Sequence, residues 1–261
     1  MKSRILQFTC FIILTFNHMA FAQDQFKVLL FTVQDTWHYE CIPNAVDAFH
    51  KMAAEHQFKF DWTQSSEDLA LKLPSYDVVV FLNANTDNLT NEQLKVLQTH
   101  IQNGNGFVGV HSTSDSEIRN LWFDNLIGGV FRDHPQFQAA VLSNHDANFP
   151  SNLHLPEKWL WSDEWYNFDL LKSDAIKVLL SVDEDTYDYQ KGYDEIPLKG
   201  MGKNHPIAWY QFYDGGRSFY TALGHKPEAF EDQMFLDHLF GGIYWAAQGE
   251  SKLPGGKPAR H

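Results

Sequence analysis

Cysteine is scarce in this chain, with two in 261 residues, Cys10 and Cys41. Cys10 falls in a segment that reads as a removable leader, so the remainder keeps Cys41 alone. A disulfide framework within the mature chain is thereby excluded, and stability must come from a core. Basic residues are few as well, 20 Lys and Arg against 33 Asp and Glu. No Lys/Arg cluster interrupts that acidic field, so polyanions would be repelled and nucleic acid is not an expected partner. The chain also lacks internal repeats, low-complexity tracts and any linker that would divide it. Close-spaced metal signatures such as HExxH or paired CxxC are absent too, so a metal site would have to be assembled from distant segments.

The N-terminus carries a secretory pattern. Lys2 and Arg4 precede an apolar run from Ile5 to Phe16, and Ala20-Phe21-Ala22 supplies a small-residue cleavage site. A membrane anchor is the competing reading, but the run falls short of the roughly 20 residues that span hydrocarbon, and Asn17 and His18 interrupt its end. Residues 1–22 are therefore expected to be removed, with no stable membrane insertion afterwards and a periplasmic destination. Cys10 has no small residues before it and does not read as a lipid-modified cysteine. Loss of Lys2 and Arg4 leaves 18 basic against 33 acidic residues, a formal net charge of −15. The remaining length, about 239 residues, suits one α/β domain over residues 23–250 with a short tail at 251–261. Self-association into a homo-oligomer is compatible with this composition.

Apolar runs rich in β-formers alternate with helical patterns. Lys27–Val33, Phe58–Trp62, Asp77–Leu82 and Phe107–His111 read as strands. Between them, Ala45, Val46, Phe49, Met52 and Ala53 repeat at helical spacing. Thr90 with Gln93 forms a capping box ahead of Leu94, Leu97 and Ile101. Ser112, Ser114 and Asp115 are candidate caps for a further helix. Later strands are expected at Gln138–Leu142, Lys177–Val182, Pro206–Phe212 and Ser218–Leu223, the last two as a hairpin turned at Asp214-Gly215-Gly216, with a closing helix within Pro227–Ala247. The alternation predicts a flavodoxin-like α/β fold, a mainly parallel sheet with helices on both faces. Ligand sites of such sheets gather at the carboxyl ends of the strands.

Four segments place polar residues at those ends: Asp35–Glu40 (DTWHYE), Gly109–Asp115 (GVHSTSD), Phe131–Pro135 (FRDHP) and Ala222–His225 (ALGH). Each contains one histidine, and His38, His111, His134 and His225 together could bind a divalent metal such as zinc, since neutral imidazole is a common zinc ligand. Singly, each reads more readily as a capping or loop-bonding residue. Asp163 and Glu164 lie among Trp159, Trp161, Trp165 and Tyr166. Carboxylates beside aromatic faces suit a sugar, and a partly buried acid can have the raised pKa of a general acid. Arg132–Asp133 reads as a structural ion pair and Arg217 as a hairpin-to-core contact. His50, His56, His100 and His154 read as surface residues. Cys41, at the start of the first helix, reads as a packed thiol, although a helix N-terminus can activate one.

The succession FRDHP, WLWSDEWYNF (Trp159–Phe168) and HPIAWYQFYDGGRSFYTALGH (His205–His225) resembles the ThuA-like family, named for trehalose utilisation. The resemblance runs from about Lys27 to about Gly249. It implies the class I glutamine amidotransferase-like form of the flavodoxin-type sheet and a link to carbohydrate metabolism. Amidotransferases on that fold carry a cysteine at the tight turn where this sequence has His111, so glutaminase activity is not expected. No nucleotide cofactor is expected either.

The combined expectation is an exported protein acting on a small-molecule carbohydrate. His111, His134 and Glu164 would be catalytic. Trp37, His38, Ser112, Asp163 and Tyr166 would contact the sugar. Hydrolysis and isomerisation both remain open, as do a non-catalytic sugar-binding protein and an accessory partner of a periplasmic oxidoreductase.

Overall fold

The computed structural model describes residues 24–34, 37–169, 171, 174–193 and 196–248. The leader at 1–22, Asp35 and the tail from Ser251 lie outside the described residues. The chain runs β1 (Lys27–Thr32), α1 (Ile42–His56), β2 (Lys59–Thr63), α2 (Ser66–Lys72), β3 (Val78–Leu82), α3 (Asn91–Gln102) and β4 (Gly106–Val110). After α4 (Leu121–Ile127) come β5 (Val130–Asp133), β6 (Gln138–Asn144), β7 (Lys158–Asp163), β8 (Asn167–Asp169) and β9 (Lys177–Val182). It finishes with β10 (Pro206–Tyr213), β11 (Gly216–Thr221) and α5 (Gln233–Gln248). Nine strands form one sheet in the order β2-β1-β3-β4-β11-β10-β9-β6-β7, and β5 pairs with β8 apart from it.

The strands from β2 to β11 in that order are parallel, and β10, β9, β6 and β7 extend the sheet antiparallel. The parallel part follows from composition, since every residue of β3 and β4 is buried, as apolar runs covered on both faces must be. Consecutive residues of a strand point to opposite faces. A Cβ at Gly106 would lie 2.4 Å from the carbonyl oxygen of Ala246 in α5, whereas the ring of Phe107 packs 5.7 Å from that of Phe123 in α4. Helices thus cover both sides of β4.

Local signals fix several ends. Thr90 and Gln93 form both bonds of the capping box ahead of α3. Asp214 and Gly215 both take positive φ, 48° and 94°, which gives the β10–β11 turn the twist a two-residue hairpin needs. Arg217 reaches Ala246 O at 3.0 Å, and Arg132 pairs with Asp133 at 2.9 Å, so both act as structural ties.

Two readings need correction. The residues after β4 do not cap a new helix. His111–Ser114 is a single 3-10 turn, and α4 begins only at Leu121, where Asn120 Oδ1 accepts the Phe123 N–H. The closing helix expected within Pro227–Ala247 is α5, preceded by a 3-10 turn at Pro227–Glu231 and capped at the break by Asp232 Oδ1 accepting the Phe235 N–H. His100 is buried rather than on the surface, with Nε2 3.3 Å from Gly106 O, and burial lowers its pKa to about 4.

Candidate functional site

The carboxyl ends of β1, β3, β4 and β11 deliver His38, Asn83, His111 and His225 to one edge of the sheet. The backbone bends sharply to do this. Asn83 and His111 take φ of 48° and 52°, values rare outside glycine. The bend at His111 is held from both sides: Thr113 Oγ1 accepts the Val110 N–H, and the Ser112 N–H and Oγ–H both donate to Asn83 Oδ1 at 3.3 Å. Beneath it, a Cβ at Gly109 would stand 3.0 Å from the Tyr220 ring and 3.2 Å from Thr113 Cγ2, closer than side chains ordinarily pack, and glycine relieves that crowding. Gly224, at φ 110°, turns the chain after β11 so that His225 faces His111. Glu164 follows β7, which runs in the same direction as those strands, so its carboxyl end reaches the same edge.

His38, His111, Glu164 and His225 offer ligand atoms that all lie within 4.8 Å of one another. His111 Nε2 stands 3.2 Å from His225 Nδ1 and 3.5 Å from Glu164 Oε2, and the His225–Glu164 separation is 3.2 Å. Neighbouring donors around a tetrahedral zinc with bonds of 2.0–2.1 Å stand roughly 3.4 Å apart, so these three edges fit one ion. The ring of His38 closes the group at 5.0 Å from His111 and 5.4 Å from His225. His111 Nδ1 lies 2.7 Å from Ala222 O. A carbonyl only accepts, so Nδ1 carries a hydrogen, and in the neutral ring the Nε2 lone pair points into the cluster, as in metal-binding histidines whose other nitrogen donates to a carbonyl. Tyr166 Oη also reaches Nε2, at 2.9 Å.

The electrostatics divide the group. Burial favours the neutral form of Glu164, but the His111 hydrogen bond and the charges of His111, His134 and His225 outweigh it and bring the carboxyl down to about 2. Burial and the neighbouring His111 push His225 down to about 3. Burial also opposes charging of His111, yet Glu164 and Asp163 raise it above the ordinary imidazole value. Around neutrality His225 and Glu164 are therefore deprotonated, and His111 is the member of the three whose protonated form its neighbours favour. A metal ion would compete with protonation of His111, so its affinity should rise with pH across the range in which His111 loses its proton, with proton release on binding. Without metal the sign reverses: the raised His111 contributes stability that is complete below pH 6.5 and lost as pH rises through its folded value. Calorimetry in buffers of different ionisation enthalpy measures the proton count. Affinity that does not rise with pH, with no proton released at any pH, would contradict the assignment.

The remaining expected residues occupy several different places. His134 Nδ1 is tied to Pro135 O at 2.9 Å and its Nε2 lies 3.6 Å from Glu164, but it stands beside the four-donor group, in which Glu164 takes the place expected of it. Asp163 belongs to the frame: its carboxylate accepts N–H groups of Gly224, His225, Glu164 and the Trp161 indole, and it is buried. Burial raises its pKa, so the elevated acid in SDEWY is Asp163 and the depressed one is Glu164, the reverse of what a general acid at Glu164 requires. Ser112 is a buried turn residue bonded to Asn83, while Trp37 is 79% exposed beside His38. Tyr166 is buried, and burial lifts its pKa well above the usual phenol value, which keeps it neutral. Cys41 is buried, with Sγ 3.1 Å from His38 O and 3.0 Å from Asn83 Nδ2.

Sequence reading missed Asn83, Phe137 and Tyr193. Asn83 follows a recognised strand, so the strand-end rule could have found it. The Phe137 ring lies 6.0 Å from His225 and the exposed Tyr193 ring 5.6 Å from His134. Both sit on irregular segments that carry no periodic signal.

Sheet order and site position define a flavodoxin-like α/β protein with a histidine–carboxylate cluster at its strand ends. The chain belongs to the ThuA family, described as trehalose utilisation, whose profile matches residues 27–246. A ThuA-like protein of Bacteroides uniformis superposes with a TM-score of 0.74 at 24% identity, covering 87% of this chain and 94% of the other. One from Parabacteroides merdae gives 0.69 at 20% identity, covering 86% and 90%. The β-galactosidase of Rahnella sp. R3 gives 0.54 at 14% identity, covering 88% of this chain and 32% of its own. No curated protein matches in sequence. Among the described residues no helix is long and apolar enough to cross a membrane.

Proposed function

We propose that this chain is an exported, metal-dependent enzyme that acts on a sugar, a glycoside or a keto-sugar derivative in the periplasm. The observation that carries the reading is the convergence of His38, His111, His225 and Glu164, with the inner nitrogen of His111 anchored by Ala222 O. Membership of a family described by trehalose utilisation supports a carbohydrate as the substrate class. A bound divalent ion such as zinc would polarise a sugar oxygen or acidify a water. The chain's own groups supply the rest. Tyr166, held neutral and aimed at the cluster, donates a hydrogen bond to a developing negative charge. His134, whose Nδ1 hydrogen is taken by Pro135 O, presents Nε2 beside the cluster as the base that removes a proton from water or from carbon next to a carbonyl. Hydrolysis and isomerisation share that step.

Turnover should be measured on a panel of disaccharides and keto-disaccharides, trehalose among them, with zinc-loaded and chelated protein. Chelation and His111→Ala should abolish turnover, and His134→Gln should lower kcat by about 10²–10⁴-fold with little change in KM. Undiminished turnover in both variants would remove the cluster from the mechanism. Sugar binding without product across the panel, with divalent metals added, would establish a binding protein instead.

A further inference from the structure

Tyr166 meets the histidine cluster from the short stretch between β7 and β8, which belongs to neither a helix nor a ladder. Its direction is fixed from behind. His205 stands just before β10, fully buried, and its carbonyl accepts the Val182 N–H of β9 at 2.9 Å, so it rests on the sheet. From there Nε2 reaches Tyr166 O at 2.8 Å and Nδ1 reaches Glu184 Oε1 at 2.8 Å. Glu184 lies on the turn after β9, and the same carboxylate oxygen accepts the Met201 N–H at 2.6 Å. Met201 Sδ in turn accepts the N–H of Phe168, two residues beyond Tyr166. Asp163 ties the start of the stretch through the Glu164 N–H, and His205 ties it two residues further on.

The proton count of the pair follows from its partners. A backbone carbonyl only accepts, so Nε2 carries one hydrogen. A carboxylate only accepts as well, so Nδ1 carries another, and His205 is an imidazolium beside an ionised Glu184. The Glu184 carboxyl agrees with this: burial opposes its charge, but the hydrogen bonds from His205 and from the N–H groups of Met201 and Gly202 outweigh that and hold its pKa below the ordinary value. Tyr187 Oη stands 3.3 Å from Nδ1 on the same side of the ring. Charge-assisted hydrogen bonds are about twice as strong as neutral ones, so the Tyr166 carbonyl is held by a charged donor that water does not reach.

We infer that Glu184 and His205 are positioning residues, a buried ion pair that holds the Tyr166 backbone so that its Oη meets Nε2 of His111. Neither touches the cluster. The inference rests on the reading of Tyr166 as the hydrogen-bond donor of the site, and it adds what sets the aim of that donor.

The test is nitrogen NMR of the histidine rings in the full chain, with metal removed by chelation and at one fixed pH. The wild-type protein should show a proton on both ring nitrogens of His205. Tyr166→Phe sets the scale, because it deletes the Oη contact and should shift the His111 ring signals. His205→Ala and Glu184→Ala should shift those signals in the same direction and over most of that range. Glu184→Gln, which keeps an acceptor for Nδ1, should bring them back toward wild type. Combining Glu184→Ala with Tyr166→Phe should add nothing to Tyr166→Phe alone. Leu69→Ala, in the buried face of α2, lowers Tm without touching the site and should leave the His111 signals in place.

A single proton on the His205 ring overturns the ion pair. His111 signals that stay put in His205→Ala and Glu184→Ala, or that move as far in Leu69→Ala, overturn the positioning role. Signals unmoved by Tyr166→Phe overturn it too, since there would be no contact to aim. Should His205→Ala fail to fold, Glu184→Ala, at the outer member of the pair, carries the comparison. Absence of turnover on every sugar would sink the proposed activity and leave this result standing, because the ring signals are read without substrate.

Discussion

Zinc titrated into the purified protein is expected to bind one ion per chain, and Glu164→Gln or His225→Ala should weaken that binding by more than about 100-fold. The magnitude follows from ligand count. Disturbing an outer partner of a metal-bound histidine typically costs 10–100-fold, and removing a donor atom costs more than disturbing its support. His134→Ala serves as the internal contrast. Its ring is within 3.6 Å of Glu164 yet outside the four-donor group, so its loss should change affinity by less than about tenfold. Isothermal titration on the three variants makes the comparison. A His134 variant as damaged as the other two would return His134 to the ligand set, and three undamaged variants would leave the cluster as an acid–base site without metal.

Replacing Asp163 by alanine should cost about 3 kcal/mol of folding stability and disorganise the cluster at the same time. Removing a buried carboxylate strands four N–H donors, those of Gly224, His225, Glu164 and Trp161, and unsatisfied buried donors cost about 1 kcal/mol or more each. Part of this is offset, because burial already disfavours the Asp163 charge, as its raised pKa records. Two of the donors belong to cluster residues themselves, so zinc affinity should fall along with the urea midpoint. Asp163→Asn keeps the shape and acceptor oxygen and should recover part of both. An Asp163→Ala protein of wild-type stability and wild-type zinc affinity would show that the carboxylate is not what braces Glu164 and His225.

The readings that succeeded were those a short window of residues can carry. DVVVFL and FVGV are continuous apolar runs, and such runs become strands buried on both faces in almost any context that covers them, as β3 and β4 are. The Thr90–Gln93 box is made within four residues. Positions at strand ends were equally legible, because right-handed crossovers put the carboxyl ends of parallel strands on one edge. What failed needed partners far away. β7 and the β5–β8 ribbon exist only by pairing, and Lys158–Asp163 alternates buried and exposed residues in a manner that an irregular aromatic segment imitates.

The same division runs through the site. Sequence alone decided that His38, His111 and His225 follow strands of one sheet, because chain order and strand pattern are local properties that topology then gathers. Which donors face one another was decided only in three dimensions. The ring of His111 meets Tyr166 and His225 across 55 and 114 residues, and its direction is set by a positive φ and a carbonyl 111 residues away. The exchange of His134 for Glu164 has the same origin: side-chain direction depends on backbone angles and on contacts between distant segments, and neither is written in the spacing of residue types along the chain.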